Sequence, residues 1–175
     1  SSELLSSMEL GKGLGLIIRF ESIPESVEEQ LNQVLQIGEK LGLTNAVFSD
    51  KQEQDLWHRL PEQIHLSASE SAITCKIGVL PNAAVEILNQ ADLGLINIST
   101  GLGILRFDSV NRVLEMRKLC EQKSGFLTIL SAPIDIKQKV DVWGYTGNAL
   151  ELMRGIKKQF DSENILSPGR FVGGI

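Results

Sequence analysis

The sequence predicts an α+β fold, one mainly antiparallel sheet with helices on one face. Three observations carry that reading: strand-like and helix-like segments alternate along the chain, a short motif recurs, and polar side chains alternate with apolar ones inside the strand segments.

The first strand is expected over residues 14–20, Leu14-Gly-Leu-Ile-Ile-Arg-Phe20, because it is short and rich in β-formers. Pro24 then opens a helix with early acids, and Val27, Leu31, Val34, Leu35, Ile37 and Leu41 fall mostly on one 3.6-residue stripe. Gly42 closes it as a C-cap glycine. A short strand is expected at Ala46-Val47-Phe48, then a charged helix over residues 50–64, anchored by Leu56, Trp57 and Leu60 and stopped by Pro61.

Further along, a strand over residues 72–80 runs into Pro81-Asn82, which opens a helix carrying Ala84, Val85, Ile87, Leu88 and Ala91. Strands follow at 93–99 and 104–107. Asp108 or Ser109 then caps a helix using Val110, Val113, Leu114, Met116, Leu119 and Cys120. Gly125 closes that helix, a strand is expected over 126–130, and a last helix over about 149–160 precedes a breaker-rich tail.

The recurring motif is Gly13-Leu-Gly-Leu-Ile-Ile-Arg-Phe-Glu-Ser22 against Gly101-Leu-Gly-Ile-Leu-Arg-Phe-Asp-Ser109, with one residue deleted. Each copy leads into a helix and a strand. A repeated β-α-β plan with helices on one side is a ferredoxin-like layer.

The composition sets limits. With 175 residues, 42% hydrophobic and 22% charged, the chain can bury a core without a metal or disulfide staple. A net charge of -5 excludes a phosphate-backbone partner, which leaves a basic footprint on proteins that bind it. No run reaches the ~20 apolar residues of a membrane span. Cys75 and Cys120 read as buried thiols in a reducing compartment, so a cytoplasmic location is expected. His58 and His65 are the only histidines and lack metal or nucleophile spacing; both read as surface residues. Gly11-Lys-Gly-Leu-Gly15 precedes a strand, whereas a phosphate cradle sits between a strand and a helix, so no nucleotide loop is expected.

If helices cover one face, polar strand residues belong on the other. Arg19, Thr74, Lys76, Asn97, Arg106 and Thr128 alternate with apolar neighbours and are the candidate open-face set. Two guanidinium forks and an ammonium on such a face suit a carboxylate. The competing reading is a solvated surface whose long side chains cover apolar neighbours.

The C-terminal run from Asp141-Val-Trp-Gly144 through Lys157-Lys-Gln-Phe-Asp161 to Ser167-Pro-Gly-Arg-Phe171 resembles the C-terminal end of FAD-linked oxidases of the vanillyl-alcohol oxidase type. Within that family the ending Pro168-Gly-Arg-Phe-Val-Gly-Gly-Ile175 is most similar to the E subunits of glycolate oxidases, as are Gly101-Leu-Gly-Ile-Leu-Arg-Phe107 and Leu80-Pro-Asn82. The family usually has Asn where this chain has Ser167.

The resemblance implies an N-terminal FAD-binding domain outside these residues, with residues 1–140 as an α+β cap. Residues 141–175 would be a helix and tail returning to that domain through Ser167, Pro168, Gly169 and Arg170. It implies oxidation of a small 2-hydroxy acid together with other glycolate oxidase subunits. A His-x-Gly-Asp-Gly-Asn-x-His run, present in the D-type subunits, is missing here, and no catalytic residue is expected in this stretch. The isolated fragment should hold no FAD and be inactive. The alternative is a non-enzymatic ferredoxin-like module that binds a small acid or another protein.

Overall fold

The computed structural model describes residues 13–66, 71–145 and 147–175. The chain divides into two compact units, Ser1–His65 and Leu66–Ile175.

In the first unit, α1 (Pro24–Lys40) starts on Pro24, where a missing N–H costs nothing, and carries Glu25 in its first turn. It ends in a Schellman motif. The Leu43 N–H donates to the Gly38 carbonyl and the Gly42 N–H to the Glu39 carbonyl, with Gly42 at φ +69°. Although α1 has a clear apolar stripe, none of its residues is fully buried.

The second helix, α2 (Asp50–Leu66), runs on through Pro61, where the sequence suggested a stop. Proline removes one donor and crowds one carbonyl, and the turns on either side persist here. Residues 14–20 and 46–48, expected as strands, join no sheet among the described residues.

The second unit runs β1 (Ile73–Gly78), α3 (Ala84–Gln90), β2 (Leu93–Ile96), β3 (Leu102–Phe107), α4 (Val110–Gln122), β4 (Phe126–Ser131), α5 (Ile134–Lys139) and α6 (Leu150–Phe160). Single 3₁₀ turns lie at Pro81–Ala83 and Val172–Gly174. The sheet order is β2-β3-β1-β4, with every neighbouring pair antiparallel. This β-α-β-β-α-β order is the split β-α-β arrangement, so the expected ferredoxin-like fold is observed in this unit.

The register decides which side chains share a face. Ile73, Cys75 and Ile77 of β1, Leu105 and Phe107 of β3, and Leu127 of β4 are completely buried on one side. There they meet Ile87 of α3 and Val113, Met116 and Cys120 of α4. Each such side chain contributes about 1.5–3 kcal/mol by leaving water. The two cysteines are free and buried, as expected.

Two element boundaries differ from expectation. Residues 97–99 leave the sheet after Ile96, because Asn97 is drawn into a turn. The short helix α5 follows Pro133, where the sequence suggested only the end of a strand.

Candidate functional site

The face of the sheet opposite the buried side chains is built from the alternate positions; Thr74 on it is buried. Thr74 faces Arg106 across β1 and β3, and Lys76 faces Ile104 on one side and Thr128 on the other. Four of the residues expected on this face, Thr74, Lys76, Arg106 and Thr128, therefore share it.

Their surroundings differ. Arg106 is half-buried, and its Nη1 is fully buried with no acceptor among the described residues. Lys76 is exposed. The Thr128 hydroxyl donates to the Trp143 carbonyl at 3.0 Å, so it positions the segment beyond the sheet edge and is not free for a ligand. Leu93 and Leu95 of β2 stand opposite Arg106 and Ile104 and make the rest of the face apolar.

The other two candidates lie elsewhere. Asn97 sits beyond β2, where its side-chain oxygen accepts from Ser99 Oγ at 2.7 Å and from the Thr100 N–H at 3.1 Å. These bonds to its own loop explain why it left the strand. Arg19 belongs to the first unit and to no strand. It pairs with Glu53 at 2.6 Å and Glu21 at 2.9 Å, and its guanidinium lies 5.7 Å from the centre of the Trp57 ring. Alternation alone could not show that these acids and this indole take up its charge.

The C-terminal stretch folds into a clamp. Residues 142–143 run along the outer edge of β4, with the Ile129 N–H donating to the Val142 carbonyl at 2.8 Å, which blunts that edge. The Asp141 carboxylate accepts from the Trp143 and Gly144 N–H groups, both at 3.0 Å. Gly144, at φ +58°, lies against Arg117; a Cβ there would come within 2.5 Å of Arg117 Nε. Arg117 is buried, and its Nε and Nη2 have no acceptor among the described residues.

Beyond α6 the tail is gathered by Asp161. Its carboxylate accepts from the Ile165 N–H at 2.9 Å and the Leu166 N–H at 3.0 Å, and pairs with Lys157. The Lys157 hydrogen bond above all, helped by the two backbone N–H groups, holds the Asp161 carboxyl below the usual carboxylate range. Lys157 also donates to the Leu166 carbonyl at 2.6 Å.

A turn follows in which the Arg170 N–H reaches the Ser167 carbonyl at 3.3 Å across Pro168 and Gly169, the latter at φ +72°. Proline followed by a positive-φ glycine is the composition of a type II turn. The chain then meets Trp143, whose indole N–H donates to the Arg170 carbonyl at 3.3 Å. The organising roles of Asp161 and Arg117 were not foreseen, and only the position of Asp161 just after the helix could have hinted at the first.

The clamp leaves apolar surface uncovered. Leu152, Ile156 and Phe160 stand one turn apart on α6 and are 66%, 52% and 81% exposed. Beside them lies a groove of about 540 Å³ lined by Met153, Ile156, Phe160, Leu166, Phe171 and Ile175, with Lys157 and Arg170 also bordering it.

Among the described residues no cluster of His, Cys, Asp or Glu could hold a metal ion, and no helix is long and apolar enough to cross a membrane. No curated protein and no solved structure matches the chain. Residues 142–171, the clamp from Val142 to Phe171, match the family of FAD linked oxidases, C-terminal domain, which carries an FAD-linked oxidoreductase context.

Proposed function

We propose that this chain is the substrate-side cap of an FAD-dependent oxidoreductase subunit that oxidises a small 2-hydroxy acid, of the glycolate oxidase kind. The observation that carries the reading is the clamp. The residues of the matched stretch converge through Trp143, Asp161 and Arg170, yet they leave the Leu152-Ile156-Phe160 stripe bare. A bare stripe beside a family-matched tail suits docking onto an FAD-binding domain outside these residues.

Fit to the cofactor divides by chemistry. The glycine-rich segment at Gly13 precedes no helix directly, so among the described residues it forms no cradle for the pyrophosphate. The buried Arg106 Nη1 and exposed Lys76 instead suit an anionic group presented to the open sheet face. In this reading FAD, held by the domain outside these residues, would supply a hydride acceptor, and Arg106 and Lys76 would orient the substrate carboxylate.

The test uses the full-length subunit assembled with its partner subunits. It should be yellow and should reduce a dye acceptor with glycolate, while this chain alone should be colourless and inactive. Arg106→Met and Lys76→Met should each raise KM for the acid with kcat little changed. A full-length subunit that binds no flavin would leave the alternative, a non-enzymatic acid-binding or interaction module.

A further inference from the structure

The pairing of β1 with β4 contains one irregularity. From Gly78 to Cys75 the partners run one for one, Phe126 to Ile129, but Thr74 stands opposite Ser131, so β4 takes in one extra residue, Leu130. Such a β-bulge resets the alternation of the strand beyond it and re-aims a side chain. Regular pairing would set Leu130 opposite Thr74 and turn Ser131 to the helix side. Instead Ala132 joins Ile129 in the buried core, and Ser131 is exposed on the face it shares with Thr74.

The bulge thereby builds a polar row across three strands. Thr74 has Arg106 on its β3 side and Ser131 on its β4 side. Thr74 is the buried floor of the row, Arg106 is half-buried and Ser131 is exposed. Apart from Lys76 and Thr128 in the next row, the face around it is apolar, with Leu93, Leu95, Ile104 and Phe126. The Thr128 hydroxyl is occupied by the Trp143 carbonyl. By contrast, no hydrogen bond or ion pair among the described residues engages the side chains of Arg106, Thr74 or Ser131.

We infer that the row Arg106-Thr74-Ser131 selects a short acid that carries a hydroxyl on C2. Arg106 pairs with the carboxylate, and the Ser131 and Thr74 hydroxyls hold the C2 oxygen. The class of acid rests on the proposed function; the residues that tell a 2-hydroxy acid from a plain one are the addition. A guanidinium alone takes any carboxylate. A serine or threonine hydroxyl both donates and accepts, so it matches an alcohol and is left unpaired against a methyl group in the same place. Adjacent strands stand ~4.8 Å apart, so donors on neighbouring strands can meet both ends of a molecule of two or three carbons. Lys76, one row away, adds attraction for any anion and no choice among acids.

NMR titration of the backbone amides of this chain with glycolate and with propionate, which puts a methyl group where glycolate has its hydroxyl, tests the inference. Glycolate should shift the Arg106, Thr74 and Ser131 amides saturably and bind at least ~10-fold more tightly than propionate. Ser131→Ala and Thr74→Val should each weaken glycolate about 5-fold and leave propionate unchanged. Arg106→Met should weaken both acids. Ser131 is exposed, so Ser131→Ala carries the test even if the change at buried Thr74 unfolds the chain. Equal binding of the two acids to the parent, an unchanged preference in Ser131→Ala, or no saturable shift with glycolate would overturn the inference. No flavin enters the titration. A full-length subunit that binds no FAD therefore defeats the proposed function and leaves this inference standing, while dye reduction by a subunit whose Ser131→Ala form keeps its preference does the reverse.

Discussion

The Trp143 and Phe171 rings meet edge to face, with centroids 5.2 Å apart and planes at 71°. With the indole N–H on the Arg170 carbonyl, this contact joins the two ends of the family-matched stretch. Trp143→Phe keeps an aromatic edge but loses the donor, and should cost about 1 kcal/mol. Trp143→Ala loses both and should cost about 2–3 kcal/mol. Urea unfolding of the second unit measures both, and equal stability of all three proteins would show that the tail does not lean on Trp143.

Asp161 makes the tail sensitive to acid. Its carboxyl is depressed mainly by Lys157, so the stability it contributes is complete above the unfolded value near 3.8 and fades as pH falls through the lower folded value. Asp161→Asn should remove that acid dependence and free the Ile165 and Leu166 N–H groups in part. Limited proteolysis of the tail across pH 2–6 reads the effect: the parent should become cleavable only at the acid end of this range, and D161N throughout.

The second unit was legible because its strands are amphipathic on a two-residue period and its helices on 3.6, with partners close in sequence. That Thr74, Lys76, Arg106 and Thr128 share one face was legible for the same reason. Residues 14–20 carry an equally good strand pattern and still form none, since a strand also needs a neighbour, and periodicity says nothing of that. Asn97 was misplaced because its side chain competes for nearby backbone groups, a local preference that outweighs continuation of the strand. The clamp was recognisable as a motif, but its geometry rests on Asp161, which gathers Lys157 and the Ile165 and Leu166 N–H groups, and on Arg117 packed against Gly144 from α4, and neither arrangement follows from periodicity.

Arg117 and the two cysteines form a second testable group. Burial pushes the Cys75 thiol up to about 12, partly offset by the charge of Arg117, and pushes Cys120 up to about 11. Both values are raised, so the stability linked to the neutral thiols is whole below pH 9 and is lost as pH climbs from 9 towards 11–12. At pH 8 both should resist iodoacetamide until the protein unfolds. Arg117→Met removes buried N–H groups that lack acceptors at similar volume, and should stabilise by about 1 kcal/mol, roughly 2–4 °C in Tm. A large loss of stability would mean that the guanidinium has an acceptor in solution.

Ser167 stands at a backbone position for which Asn or Gly is better suited. Its φ is +47°, in the left-handed region that costs an ordinary L-residue about 1–2 kcal/mol and that Asn and Gly tolerate better. The strain is held by the turn to Arg170 and by the Asp161 contacts on the residues just before it. Ser167→Asn should therefore stabilise the tail by about 0.5 kcal/mol and Ser167→Gly by up to about 1 kcal/mol. Neither change removes a side-chain hydrogen bond seen here, so the gain should appear in Tm without altering the Trp143 fluorescence that reports the Arg170 and Phe171 contacts. If both substitutions lower Tm, the Ser167 hydroxyl holds something in solution that outweighs the backbone cost.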